Sequence, residues 1–152
     1  EVGVKALTSD DPAKRFWGVI ALRDREIGEP VKKLMRELRN DSTADVRIEA
    51  AALLAQRKAS RPSALKVLVN ELDNSTWAVA LRACRAIELM GESAKSVLPE
   101  MKAVYARTRH AKGDENFFLA FSSGAFLEKL GEKTDPWDFT PGAGSFMPPK
   151  KR

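Results

Sequence analysis

Two side chains in this sequence have the chemistry most often used for catalysis, and each type occurs once. His110 could act as a general acid or base, and Cys84 could act as a nucleophile. His110 lies in a predicted loop, where an exposed surface histidine is expected, with three basic neighbours: Arg107, Arg109 and Lys112. Cys84 aligns with Ala51 at a spacing of 33 residues, and a small buried core residue is expected at that position. The expected positions of these two side chains therefore do not indicate a catalytic site.

The sequence also lacks the groupings that bind metals or phosphates. Zinc sites use cysteines and histidines in close groups, which one residue of each type cannot provide. A phosphate-binding loop follows a strand and precedes a helix. The Gly-Ala-Gly stretch at 142–144 follows no predicted strand and precedes no predicted helix. We predict that this chain is not an enzyme and uses no cofactor and no metal.

Composition and charge are those of a globular domain with a mild basic excess. The chain has 152 residues, of which 43% are hydrophobic and 31% charged. No apolar run approaches the ~20 residues that span a bilayer, and one cysteine excludes an intramolecular disulfide. The net charge of +5 has two interpretations: a solvated surface, or attraction of an anionic partner such as nucleic acid.

The strongest pattern in the sequence is an internal repeat. Residues 41–51 align with residues 74–84 at a spacing of 33, with Ser-Thr, Val and Ala in register. Another copy precedes them by 32 residues, and a fourth follows the third at a spacing of 40. A period of about 20–50 residues indicates a solenoid, in which similar structural units stack on one another.

Each copy contains residues that indicate a first helix: a capping residue at its start, and residues suited to packing against other helices. One aligned position carries good N-capping residues: Asp11, Thr43, Thr76 and Asn116. A second carries small residues, as expected where helices approach closely: Gly18, Ala50, Ala83 and Ser123. A third carries larger apolar residues: Leu22, Leu54, Ile87 and Leu127. We expect first helices to begin near residues 12, 44, 77 and 117.

The segments between these helices predict second helices. Their apolar residues recur at i, i+3, i+4 and i+7, as on one face of a helix. We expect second helices near residues 29–39, 63–73 and 94–108, and a chain that begins within a repeat. The predicted fold is all-α: an α-solenoid of stacked antiparallel helix pairs over residues 1–131, with Gly91 and Gly131 ending first helices in the left-handed conformation.

The Ser-Thr start and the Val-Arg-x-x-Ala-Ala motif of residues 46–51 resemble the HEAT family, including short HEAT-like repeats of bacterial proteins. The resemblance covers about residues 1–131 and implies a scaffold, an adaptor, a nucleic-acid binder or an appended domain. It also implies that the second helices line the concave side of the stack.

A narrower resemblance concerns residues 74–77, 88–95 and 97–99, which are similar to the HEAT-type region at the carboxyl end of some bacterial sulfatases. It implies a catalytic domain upstream and a periplasmic or secreted location. The sulfatase nucleophile motif, Cys or Ser-x-Pro-x-Arg, has no match, because residues 60–64 end in Ala and Cys84-Arg85-Ala86 lacks the Pro.

Residues 132–152 form a separate C-terminal region. Four prolines and two glycines within this region exclude a regular helix or a central strand. Three aromatic residues, Trp137, Phe139 and Phe146, predict an irregular cap on the last helix, and the alternative is an unattached tail.

The candidate partner-binding residues lie on the second helices. Lys32 aligns with Lys66 and Arg36 with Asn70, which predicts an exposed stripe that Arg107 could continue. The preferred function is a non-catalytic scaffold that binds a protein or an adjacent domain of the same polypeptide. The alternative is binding of nucleic acid or another polyanion through this basic face. Trp17 and Trp77 are predicted to pack between repeats and not to stack on a ligand.

Overall fold

The computed structural model describes residues 2–74 and 76–136, and over these residues the protein is all-α, as predicted. Its helices follow one another along the chain as α1 (Val2–Ala6), α2 (Pro12–Ile20), α3 (Glu29–Leu38), α4 (Ala44–Ala55), α5 (Arg61–Glu71), α6 (Trp77–Met90), α7 (Leu98–Thr108) and α8 (Asp114–Lys129). A 3₁₀ helix, Gly91–Val97, joins α6 to α7. The chain divides into two compact units, residues 1–74 and residues 75–152.

Helix α4 is the centre of the first unit and packs against α2, α3 and α5. It is apolar on nearly all sides, as a helix surrounded by others must be. Four fully buried apolar side chains form the middle of the core: Met35, Ile48, Leu54 and Leu68.

Helix α8 has the same role in the second unit, where it packs against α6, α7 and the 3₁₀ helix. The core of this unit also contains four fully buried apolar side chains: Ile87, Met101, Val104 and Phe126. The small residues predicted at close helix approaches are buried in both units, and so are the larger residues one turn later.

Three of the four first helices begin where the sequence predicted, at residues 12, 44 and 77. The fourth was predicted three residues too late. Gly113 adopts a left-handed φ of 103° as the N-cap, and α8 begins at Asp114. Two acidic residues in its first turn favour this start because they face the positive end of the helix dipole. Asn116 therefore lies inside α8 and is not a cap; its side-chain amide donates to the Lys112 carbonyl at 2.7 Å.

The predicted second helix at 94–108 is shorter than expected, since α7 begins at Leu98. Pro99 lies in its first turn, and a proline cannot continue an α-helix from the preceding turn because it lacks an N–H. Residues 91–97 form the 3₁₀ helix instead.

Glycine ends the first helices as predicted at both sites. Gly91 has a φ of 51°, and Gly131 has a φ of 74°. At the end of α8, the Gly131 N–H donates to Glu128 O and the Glu132 N–H donates to Leu127 O, each at 3.0 Å. These two bonds form a Schellman motif, in which glycine avoids the strain of a left-handed residue with a Cβ.

Candidate interaction surface

The predicted basic stripe begins on α3, where the Glu29 carboxylate pairs with both basic side chains that the stripe has on this helix. Lys32 Nζ lies 2.8 Å from Glu29 Oε1, and Arg36 Nη2 lies 3.6 Å from Glu29 Oε2. The hydrogen bond from Lys32 lowers the pKa of Glu29, so this carboxylate stays ionised beside the two cations. The acid reduces the charge that α3 offers to an anionic ligand.

The remaining stripe residues are also accessible. Lys66 and Asn70 are exposed on α5 of the first unit, and Arg107 is exposed on α7 of the second. Their placement on one common face stays a prediction.

A pair of arginines makes the most regular polar contacts in the first unit. Arg15 donates from Nε and Nη2 to both carboxylate oxygens of Asp41, at 2.7 and 2.9 Å. Its Nη1 donates to the carbonyls of Ser9 and Asp10, six and five residues earlier, at 2.8 and 2.9 Å. Because Arg15 donates to its carboxyl, the pKa of Asp41 lies below its usual value.

Arg47 repeats this geometry 32 residues later. Its Nη1 donates to the carbonyls of Asp41 and Ser42, again six and five residues earlier, at 2.8 and 3.1 Å. Its Nε donates to the buried Glu71 carboxylate at 2.7 Å, and the Asn74 side chain donates to the other oxygen of Glu71. Arg15 and Arg47 occupy the same position in two copies of the repeat, at the spacing of 32 residues, and this match is the sequence signal for these contacts, although it does not identify the acceptors.

Aromatic side chains are exposed in both units. Trp77 on α6 and Phe118 on α8 stack with ring centroids 6.4 Å apart, and they are 47% and 46% exposed. This contact joins α6 to α8, and the packing of Trp77 between repeats stays a prediction. Trp17 is 65% exposed, so the prediction that it packs between repeats is wrong.

The start of the C-terminal region is held against α7 by polar contacts that the sequence did not predict. Lys102 pairs with Glu132 at 2.7 Å, and Tyr105 Oη accepts from the Asp135 N–H at 2.9 Å. Arg109, which is only 2% exposed, donates to Pro136 O at 2.7 Å. Two of these contacts use a backbone atom of the segment, the Asp135 N–H and the Pro136 carbonyl, which a sequence pattern does not reveal. Trp137, Phe139 and Phe146, on which the predicted cap depends, lie outside the described residues.

The single cysteine is part of a buried polar cluster in the second unit. Burial raises the pKa of the Cys84 thiol to about 11; a hydrogen bond with Ser122 opposes this and the charge of Glu88 adds to it. Glu88, 4% exposed, accepts from Ser122 Oγ at 2.8 Å and pairs with Arg85. Cys84 is buried, as its alignment with Ala51 predicted. A thiol that is protonated and buried is a poor nucleophile.

His110 is exposed, as expected, but it has a specific partner. Its Nε2 lies 2.9 Å from Asp135 Oδ2 in the C-terminal segment. In residues 2–74 and 76–136, no three His, Cys, Asp or Glu side chains are grouped so that they could hold a metal ion. None of the helices within these ranges is long and apolar enough to cross a membrane.

Comparison of the chain with models of known protein families, with curated proteins and with solved structures finds no match.

Proposed function

We propose that this chain is a solenoid of HEAT-like helix pairs that acts as a non-catalytic scaffold for a protein partner or an adjacent domain. The observation that carries the proposal is the repeated arginine geometry. Arg15 and Arg47 each donate to the carbonyls six and five residues earlier, in the loop before their own helix. Each also donates to a carboxylate later in the chain, 26 residues after Arg15 and 24 residues after Arg47. Equivalent contacts at the repeat spacing support the alignment from which the helix pairs were predicted.

The use of the buried polar side chains supports a structural function. Glu49 pairs with Arg23, Glu71 with Arg47, and Glu88 with several donors, so each is held in an internal contact. A catalytic carboxylate or thiol must instead reach a substrate within hydrogen-bond distance.

The stacked Trp77–Phe118 pair is the surface that we assign to the partner. Aromatic side chains are enriched at the energetic centres of protein interfaces because they bury a large apolar area with few rotatable bonds. The resemblance to the carboxyl end of bacterial sulfatases would make this partner the catalytic domain of a sulfatase-like polypeptide. The polyanion alternative is weaker, because Glu29 pairs with two of the four basic stripe residues.

Site-specific photo-cross-linking in the producing cell tests the assignment. A photoreactive phenylalanine at Phe118 should give one discrete cross-linked product, and Trp77→Ala should reduce its yield severalfold. The control is the same photoreactive residue at Lys66, which is exposed on α5. A product of equal yield from both positions, or from Lys66 alone, would reject the aromatic pair as the binding surface.

A further inference from the structure

The Trp77–Phe118 pair lies near the amino ends of two helices that pack against each other. Trp77 is the first residue of α6, and Phe118 is in the second turn of α8. The two rings are stacked with an interplanar angle of 15°. Phe118 also makes an edge-to-face contact with Phe117, with ring centroids 5.4 Å apart. Because Trp77 and Phe118 remain nearly half exposed in these contacts, they form an accessible aromatic surface.

Two acidic side chains, Asp114 and Glu115, lie on the same side of α8 as Phe118. They precede it by four and three residues, which are the spacings at which side chains on a helix are neighbours. Both are exposed, and neither forms an ion pair in the part of the chain that the structure describes. The amino end of a helix carries about half a positive charge, which compensates only part of two negative charges. Even with Lys112 in the preceding loop, one basic and two acidic residues leave a negative charge beside the aromatic rings.

This combination of groups suits a cation. The face of an aromatic ring is negative, so a cation within about 6 Å of its centre is attracted, most strongly by tryptophan. Arginine fits better than lysine, because its planar guanidinium stacks on a ring while its N–H groups bind a carboxylate. An apolar partner would desolvate the two carboxylates without pairing them, which is unfavourable.

We propose that the Trp77–Phe118 surface binds an arginine side chain of the partner. Its guanidinium lies over an aromatic ring, and its N–H groups donate to the carboxylate of Asp114 or Glu115. The inference rests on the proposed function, because it specifies the chemistry that the partner must present to this surface. The net charge of +5 favours anionic partners, so the charge of the whole chain does not indicate this specificity.

Titration of the purified full chain with two small peptides tests this chemistry in the absence of the partner. The probes are acetyl-Gly-Arg-Gly-amide and its citrulline counterpart, which has nearly the same shape but no charge. With Trp17→Phe and Trp137→Phe, Trp77 is the only tryptophan. Its fluorescence should respond to the arginine peptide at severalfold lower concentration than to the citrulline peptide.

The double change Asp114→Asn and Glu115→Gln should abolish this preference, since it removes both charges and preserves the size of the side chains. The matched control is Asp24→Asn with Glu26→Gln, which changes two exposed acids of the first unit and should keep the preference. Equal responses of the parent protein to the two peptides would overturn the proposal. A preference that survives the change at Asp114 and Glu115 would overturn it as well.

The cross-linked product from a photoreactive residue at Phe118 provides a second measurement. Mass spectrometry should place the cross-link within a few residues of an arginine of the partner, and Asp114→Asn with Glu115→Gln should lower the yield severalfold. An undiminished yield, or a cross-link to a segment that lacks arginine, would overturn the arginine assignment and leave the proposed function standing. Absence of any product would reject the proposed function, and the peptide titration would then decide whether this surface binds arginine.

Discussion

Asp41 contacts the matched arginines of two copies of the repeat, one through its side-chain carboxylate and the other through its backbone carbonyl. Its carboxylate accepts from the Arg15 guanidinium and from the Thr43 N–H, and its carbonyl accepts from Arg47. The Asp41 side chain is only 6% exposed, so water competes little for these bonds. Hydrogen bonds that involve a charged group are stronger than neutral ones, and the loss of the Asp41 charge should therefore be measurable.

Asp41→Asn should lower the free energy of unfolding at pH 7 by about 1–3 kcal/mol. It should also flatten the acid dependence of stability. The pKa of Asp41 is lowered in the folded protein, so its stabilisation is complete above the ordinary carboxyl pKa of about 3.9. That stabilisation is lost as pH falls through the lower folded value. Urea unfolding followed by circular dichroism between about pH 7 and pH 3 measures both effects.

The exposed residue Asp24 provides the control for this change. Asp24→Asn removes the same chemical group, and surface substitutions usually alter stability by less than about 0.5 kcal/mol. Equal acid dependence in the Asp41→Asn variant and the parent protein would show that the Arg15 contact is not maintained in solution.

Cys84 should resist alkylation in the native protein. Its thiol is buried and has a pKa of about 11, so little thiolate is present near neutral pH. Iodoacetamide should modify it at least tenfold more slowly in buffer than in urea, as measured by mass spectrometry. In a Cys84→Ala background, the exposed control Ser63→Cys should react at similar rates in both. Rapid native modification of Cys84 would mean that the α6–α8 packing opens readily.

At the scale of the helix, the position of a residue at the N-cap does not by itself determine whether its side chain makes a capping hydrogen bond. Asp11 accepts from the Ala13 N–H at 2.9 Å and is a capping residue in both position and bonding. Thr43 occupies the N-cap of α4 but makes no side-chain capping bond. Asp41, two residues earlier, accepts from the Thr43 N–H.

We therefore expect Asp11→Ala to lower the free energy of unfolding by about 1 kcal/mol, as for other lost N-caps. Thr43→Ala should have a smaller effect, which revises the value of about 1 kcal/mol that the sequence pattern predicts for this position. Thermal unfolding of the two variants measures the difference. A larger loss from Thr43→Ala than from Asp11→Ala would reverse this assignment of the caps.

Ala83 tests the packing of α6. It is fully buried, and Leu at this position should lower the free energy of unfolding by about 1–3 kcal/mol because a packed core has no room for three more carbons. Ala78→Leu on the same helix is the control, since Ala78 is exposed. Equal melting temperatures for the two leucine variants would show that the helix faces are assigned incorrectly.

At the scale of the whole molecule, the charge of +5 arises from 26 basic and 21 acidic residues dispersed along the chain. If the chain has no specific basic site for polyanions, then the loss of polyanion affinity should depend on how many lysines are replaced and not on where they lie. Lys32→Glu with Lys66→Glu should weaken heparin binding as much as Lys14→Glu with Lys58→Glu, which changes two other lysines in the same unit. Titration of each variant at about 50–200 mM salt measures this.

A larger loss of affinity and a flatter salt dependence in the Lys32 and Lys66 variant alone would support the polyanion alternative. That result would also place the two lysines in one binding surface. Equal losses from both variants would leave the aromatic pair as the favoured partner surface.

The sequence by itself determined the helix-forming segments and the residues that start, end and bury them. These features are encoded locally: a proline or N-cap residue starts a helix, glycine ends it, and small residues recur where helices approach. For this reason the starts at 12, 44 and 77 were correct, and so were the buried positions of Ala50 and Ala83.

The tertiary structure alone decided which distant groups meet. Arg109 and Pro136 are 27 residues apart, and their contact involves a backbone carbonyl, which every residue type possesses. Likewise, the alignment placed Lys32 and Arg36 on an exposed helix, but only the side-chain conformations place Glu29 between them. Local propensity acts along the chain over a few residues, whereas these contacts depend on packing that brings separate segments together. That packing also determines which surface remains available for a partner.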